Sequence, residues 1–489
     1  MTTAQHIDAD GGEDGIRADL PVLAVDLDGT LLRSDMLHET LWAALALRSR
    51  LLGAAILALF RGRAALKAAL ADNVTIDPAI LPYDERVLAR IDAWREKGGY
   101  VVLVTATDVR LARAVAVHLG VFDAVHGSTA DRNLKGAEKS ALLVAEYGHQ
   151  GFIYMGDSRA DLAVWSEAAE AVTVGADRRV RRAVDAMGRR SEHIPARGGD
   201  ALSMLRALRP HQWLKNLLVF VPILADPAHG GWEWTWALSA FVALSLIASA
   251  GYVINDLLDL ADDRTHPRKR NRPFARGDLS VATGTRMVPV LLLLGFAVAA
   301  QVSAALAMVV ATYFVLTMAY SLRLKRHSII DICTLAGLYT IRIVAGGVAI
   351  GVALSVWLLA FSMFTFFALA AAKRLGELSD ADAAGRTVTR RGYTVEDRRI
   401  LSQMAISAGY VGVLVLALYI DEPTVQERFG AHRMFWGVCA LLIFWISRLV
   451  LVADRGKMDD DPLIWAIRDP VSRATVAVVA VLTGLAVFL

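Results

Sequence analysis

Cysteine is nearly absent: the 489 residues contain only Cys333 and Cys439. They lie far apart inside apolar runs, which argues against a disulfide framework or a zinc site, and both read as core residues. Net charge is scarce as well. A balance of +3 is too small to hold a polyanion, so no nucleic acid is expected as a partner, and what matters is where the positive charge lies. The opening MTTAQHIDADGGEDGIRAD lacks the basic-then-apolar order of a secretory leader, so no cleaved signal is expected and residues 1–19 read as a disordered tail. Apolar runs long enough to span a membrane are missing from positions 20–190 and dominate positions 204–489. At this length at least two folding units are expected, the second of them in a membrane.

Within 20–190, PVLAVD, YVVLVT and GFIYMGD are runs of β-formers that each end in a polar residue. They read as buried parallel strands with the active groups at their carboxyl ends. An alanine- and leucine-rich helical insert over about 33–82 reads as a cap; its LLGAAILALF stretch, flanked by Arg48, Arg50, Arg61 and Arg63, suits either interfacial contact or cap packing. Asp26 and Asp28, in AVDLDGTLL, point to one side because Leu27 takes the other. One carboxylate can attack phosphorus while its neighbour manages the leaving-group proton. Thr105, Lys135 in NLKGAEK, and the pair Asp157 and Asp161 in GDSRADL follow in order. The hydroxyl and ammonium neutralise phosphoryl oxygens, and the late aspartates complete a hard-cation site with Asp26 and a backbone carbonyl.

This set resembles the haloacid dehalogenase (HAD) superfamily over roughly residues 20–190. The resemblance implies a Rossmann-like α/β phosphatase domain with a helical cap. It also implies Asp26 as nucleophile through an aspartyl-phosphate, Asp28 as general acid/base, and Mg²⁺ held mainly by Asp26, Asp28 and Asp157. Lys139 rivals Lys135 for the lysine role.

A polar stretch with glycine and proline, RRSEHIPARGGDALS, suggests a linker over 191–203. Beyond it come about nine apolar segments of spanning or near-spanning length, near 213–226, 236–254, 284–302, 304–320, 329–351, 356–372, 402–420, 433–452 and 472–489. Lysine and arginine gather in every second connection: Arg264 to Arg276, Arg323 to Arg326, Lys373 to Arg399, and Arg455 with Lys457. The positive-inside rule makes those connections cytoplasmic, and parity puts the N-terminal domain on the same side of the membrane.

The second span closes on Asn255-Asp256-Leu-Leu-Asp259-Leu-Ala-Asp262-Asp263, in which positions 256, 259 and 263 share one helix face. Three such carboxylates repel one another unless cations bridge them to phosphate oxygens. With the following HPRKRNRP, this resembles the UbiA superfamily of intramembrane transferases over 204–489. The resemblance implies an all-α polytopic domain of about nine transmembrane helices, a Mg-diphosphate held by Asn255, Asp256, Asp259 and Asp263, and Lys269, Arg270 and Arg272 beside the departing pyrophosphate. Family members can form oligomers, so a homo-oligomer is compatible with the resemblance.

Prenyltransferases of this superfamily carry a second aspartate-rich cluster after the sixth span, whereas this chain has Lys373, Arg374 and Glu377 there. RPHQWLKN, YSLRLKRHSIID, IRIVAGGVA, AKRLGEL and RGYT resemble the decaprenyl-phosphate phosphoribosyltransferase branch. That branch implies phosphoribosyl diphosphate as donor and a polyprenyl phosphate as acceptor. The second phosphate or the lipid phosphate then falls to Lys215, Arg323, Lys325, Arg342, Lys373 and Arg374, some of which serve equally well as topology anchors. Trp357 and the aromatics over 361–367 suit either a lipid groove or ordinary packing. A HAD domain on the same face would remove the remaining 5-phosphate. The alternative keeps the family and changes the donor to a polyprenyl diphosphate, its prenyl group going to an aromatic or other small acceptor.

Overall fold

The computed structural model describes residues 20–47, 63–195, 201–225, 231–383, 392–422, 425, 431, 433–458 and 462–488. The expected tail over 1–19 and the LLGAAILALF stretch lie outside these. Two compact units emerge: residues through Arg209 together with Tyr252–Pro289, and Pro210–Gly251 together with Val290–Leu489.

The first unit is built on six parallel strands in the order β3-β2-β1-β4-β5-β6. They are β1 Val22–Val25, β2 Val101–Asp108, β3 Ala124–Ser128, β4 Phe152–Gly156, β5 Glu170–Val174 and β6 Arg190–Ile194. β1 is apolar throughout, as is the first half of β2, because both faces are covered. Leu23, Val25, Val101, Leu103 and Met155 pack on one face, while Ala24, Val102, Val104, Phe152 and Tyr154 pack on the other. Two cap helices, α1 Met36–Leu47 and α2 Arg63–Asn73, follow β1. Helix α3 Glu85–Arg95 is capped by Asp84, α4 Val109–Leu119 by Asp108, and α5 Ala137–Tyr147 precedes β4. The strand order reverses between β1 and β4, which is where the carboxyl ends of open α/β sheets leave a crevice.

The remainder is helical. Its long elements are α6 Gly231–Leu258, whose last turns belong to the first unit, α8 Val281–Val302, α9 Ala304–Leu322, α10 Ile330–Ile350, α11 Val356–Ala383, α12 Arg398–Ile420, α13 Met434–Asp454 and α14 Pro470–Phe488. A short helix α7, Leu260–Thr265, continues α6 through Asp259. Among the described residues seven helices are long and apolar enough to cross a membrane, or up to eight if Pro462–Arg468 and Pro470–Ala486, bent by 87°, make one span.

Nine spanning helices were expected, and the first segment accounts for one shortfall. Pro210–Phe220 is a run of 3₁₀ turns followed by the short helix Val221–Ala225. It lies antiparallel beside α6: the Trp213 indole donates to Ser249 Oγ at 3.0 Å, Asn216 Nδ2 to Ser245 Oγ at 3.0 Å, and Phe220 packs on Phe241 and Trp234. A 3₁₀ turn rises about 2.0 Å per residue against about 1.5 Å for an α-helix, so this segment covers more length per residue than hydropathy alone suggests. Cys439 is buried, but Cys333 is exposed on α10, correcting its expected core position.

Candidate active sites

In the first unit, Asp26 follows β1 directly and its backbone N–H donates to the Met155 carbonyl of β4 at 3.0 Å. Its Oδ1 accepts from the Leu27 N–H at 2.8 Å and meets Lys139 Nζ at 2.9 Å. Lys139 is buried, donates to the Tyr154 hydroxyl at 2.8 Å, and Tyr154 in turn donates to Asp161 Oδ1 at 2.8 Å. Ser158 holds the other Asp161 oxygen through its N–H at 3.1 Å and its hydroxyl at 2.8 Å. Asp26, Asp157 and Asp161 each bring a carboxylate oxygen within 4.8 Å of the others. One ammonium cannot balance three clustered carboxylates. Burial pushes the Asp26 carboxyl up to about 7 against the pull of Lys139, and pushes Asp157 up to about 8 with Asp26 adding to it. An all-oxygen donor set with surplus negative charge fits a hard divalent cation such as Mg²⁺.

Asp28 stands apart from that trio. One oxygen accepts from the Met36 N–H at 2.8 Å and the other from the Thr107 hydroxyl at 2.7 Å. Burial, reinforced by Asp35, raises it to about 6. Thr105 is fully buried and its hydroxyl accepts from the Thr107 N–H at 3.0 Å, so Thr107 is the threonine that touches a site carboxylate. Lys135 is exposed, and the lysine against Asp26 is its rival Lys139. From the cap, Lys67 Nζ donates to the Ala106 carbonyl at 2.5 Å and contributes positive charge near Asp28. Gly29 has φ +73°, and an added Cβ would run into the Asp157 carboxylate, so this turn requires glycine on both counts.

Also in the first unit, the aspartate-rich segment crosses the junction of α6 and α7. Helical hydrogen bonding persists through it, from the Asp259 N–H to the Asn255 carbonyl at 2.9 Å and from the Asp263 N–H to the Asp259 carbonyl at 2.8 Å. Asp256 and Asp263 are buried, and Arg272 bridges them at 3.1 and 2.5 Å. Arg209 adds a second guanidinium 2.5 Å from Asp256, stacked over the Tyr252 ring. Asn255 donates to Asp259 at 3.1 Å. Burial pushes the Asp263 carboxyl above its ordinary range even though Arg272 lowers it. Its Oδ1 is buried without a hydrogen-bond partner among the described residues, with Lys269 Nζ 4.0 Å away. An orphaned carboxylate oxygen in this motif fits a ligand to a divalent cation. Arg270 is exposed. The sequence reading did not single out Arg209 in RPHQWLKN.

The second unit contains two separate basic groupings. Arg342 is buried on α10 and donates to Asn216 Oδ1 at 2.8 Å, to the Tyr313 hydroxyl at 2.9 Å and to the Leu338 carbonyl, with its guanidinium over the Tyr313 and Tyr339 rings. Lys215 Nζ lies 5.9 Å from the centre of the same Tyr339 ring. Arg374, on α11, is gripped by Asp331 at 2.5 and 2.9 Å, Glu377 at 2.6 Å and Tyr320 at 2.8 Å. Its charge is neutralised within the protein, and so is that of the fully buried Asp331. Asp331 and Tyr320 were not among the residues expected here. Lys325 lies in the turn after α9, and Lys373 is half-buried beside Arg374.

Comparison with known proteins follows the same division. Residues 217–467 match the UbiA prenyltransferase family, and residues 23–165 match the haloacid dehalogenase-like hydrolases. The protein y4nM of Sinorhizobium fredii is 37% identical over 462 residues, covering 93% of this chain and 88% of that one, so the fusion recurs there. Nodulation protein NoeC of Azorhizobium caulinodans is 37% identical over 273 residues, 55% of this chain and 88% of its own. The decaprenyl-phosphate phosphoribosyltransferase of Mycobacterium tuberculosis is 34% identical over 278 residues, again 55% of this chain and 88% of its own. The chain is an integral membrane enzyme that belongs to the UbiA prenyltransferase family and carries a haloacid dehalogenase-like hydrolase domain at its N-terminus.

Proposed function

We propose that the membrane half transfers 5-phosphoribosyl from phosphoribosyl diphosphate to a polyprenyl phosphate, and that the N-terminal domain then removes the 5-phosphate. The observation that carries the donor assignment is Arg374. Where prenyl transfer calls for a second carboxylate cluster, Arg374 binds Asp331 and Glu377, so those carboxylates serve an arginine. The similarity to decaprenyl-phosphate phosphoribosyltransferases supports the same donor.

A bound Mg²⁺ would neutralise the diphosphate and phosphoryl oxygens. Asp256, Asp259 and Asp263 would hold that Mg²⁺ at the diphosphate end, while Arg209 and Arg272 steady the pyrophosphate as it leaves with the electron pair of the broken bond. A lipid phosphate oxygen forms the new bond to the anomeric carbon. Lys215, Lys325 and Lys373 take the remaining phosphates, with Arg342 and Arg374 bracing them from within. In the N-terminal domain Lys139 and the Leu27 N–H hold one Asp26 oxygen, and the other attacks the 5-phosphate phosphorus. Asp28 gives its proton to the leaving ribose oxygen and takes one back from the water that cleaves the aspartyl-phosphate. A carboxyl raised to about 6 by burial suits both directions.

The basic connections support a cytoplasmic position for both sites, where fusion would supply the intermediate at high effective concentration. The test offers detergent-purified protein two substrate pairs: labelled phosphoribosyl diphosphate with polyprenyl phosphate, and polyprenyl diphosphate with an aromatic acceptor. Label entering lipid from the first pair alone is the expected result; product from the second pair alone returns the chain to prenyl transfer.

A further inference from the structure

We infer that Arg264, which belongs to the transferase half, is a positioning residue of the phosphatase site; this rests on the N-terminal domain being a phosphatase. The two oxygens of Glu39 on cap helix α1 accept from Arg264 on α7 at 2.6 and 3.1 Å, a bidentate pair whose side chains are 4% and 5% exposed. Arg264 also donates to the Ala275 carbonyl at 3.3 Å, which ties it to its own loop. On the phosphatase side Glu39 accepts from Ser34 Oγ at 2.5 Å, and the Ser34 carbonyl accepts from the Gly29 N–H at 3.1 Å. Two residues further on, the Met36 N–H donates to Asp28 Oδ1 at 2.8 Å. The turn that aims Asp28 is therefore anchored at Glu39, and Glu39 is anchored on Arg264.

The surrounding contacts are built for permanence. Trp42 of α1 packs with Val253, Leu257, Leu260, Phe274, Leu279 and Val281, and its indole donates to Thr285 Oγ1 at 2.8 Å. Gly277, at φ +77°, admits Arg33 and Pro82 so closely that an added Cβ would lie 3.0 and 3.1 Å from their Cβ atoms. Buried bidentate pairs fix geometry, and misplacing a proton donor by about 1 Å costs orders of magnitude in rate.

The experiment uses the full chain and the Asp26-dependent hydrolysis of 4-nitrophenyl phosphate. Arg264→Ala and Glu39→Ala should each lower kcat at least about tenfold with KM little changed. The double variant should fall no further, and Arg264→Lys should recover part of the loss. The Gly29 and Met36 amides should exchange faster with solvent in Arg264→Ala, while lipid labelling by the transferase continues. Unchanged kcat and unchanged exchange in Arg264→Ala overturn the inference. So does an equal loss of both activities with exchange rising throughout the domain, which marks a structural role only. If the wild type shows no Asp26-dependent hydrolysis, the phosphatase reading fails, and the two amides still decide on Arg264.

Discussion

Replacing Arg374 with methionine separates a phosphate ligand from a structural ion pair. Asp331 is fully buried, and in the variant it would keep only the Tyr320 hydroxyl at 2.9 Å, losing both bonds to the guanidinium. Leaving a buried carboxylate unpaired costs about 3–5 kcal/mol, whereas removing both charges together is close to neutral. For a unit of this size that single loss lowers the unfolding midpoint by roughly 6–20 °C. Arg374→Met/Asp331→Leu should recover most of it. The assay is thermal unfolding in detergent followed by tryptophan fluorescence, with the KM for phosphoribosyl diphosphate measured below the transition. An Arg374→Met protein with an unchanged midpoint and a KM raised tenfold or more would refute this reasoning and make Arg374 a phosphate ligand.

Lys139→Met should abolish phosphatase turnover by about a hundredfold or more, because its ammonium meets Asp26 directly, while Lys135→Ala should stay within about threefold of wild type. Thr107→Val removes the hydroxyl that donates to Asp28 and should lower phosphatase kcat about tenfold, read with 4-nitrophenyl phosphate. Asp26, Asp28 and Asp157 are raised from 3.8 to about 7, 6 and 8 in the folded domain without metal, so there the folded state binds more protons than the unfolded one. Their contribution to stability is complete below 3.8 and lost as pH rises through 6 to 8, so the metal-free domain should melt at lower temperature at pH 8 than at pH 5. Mg²⁺ should raise the melting temperature more at pH 8 than at pH 5, since its carboxylate ligands must lose their protons.

Local pattern carried the strands and carboxylates. β1 and β4 each run from apolar residues straight into an aspartate, and their parallel pairing is enough to bring Asp26 and Asp157 to one edge, which Asp161 joins from the turn that Ser158 caps. NLKGAEK offers two lysines; helix α5 begins at Ala137, so Lys139 points inward from its first turn while Lys135 precedes it and faces solvent. The Arg374–Asp331 pair joins residues 43 apart in sequence, and Glu39–Arg264 joins residues 225 apart. No local spacing announces pairings at that range. Hydropathy found the 213–226 segment by its apolar length, but its 3₁₀ backbone follows from packing against α6, which composition does not record.

The most direct test of the two-step account is charge separation of the lipids made from labelled phosphoribosyl diphosphate, polyprenyl phosphate and Mg²⁺ by wild type, Asp26→Asn and Asp256→Ala. The account predicts lipid-linked ribose without its 5-phosphate from the wild type, the 5-phosphorylated lipid from Asp26→Asn, and no labelled lipid from Asp256→Ala. The same 5-phosphorylated lipid from wild type and Asp26→Asn would contradict it, because the N-terminal domain would then act on something else.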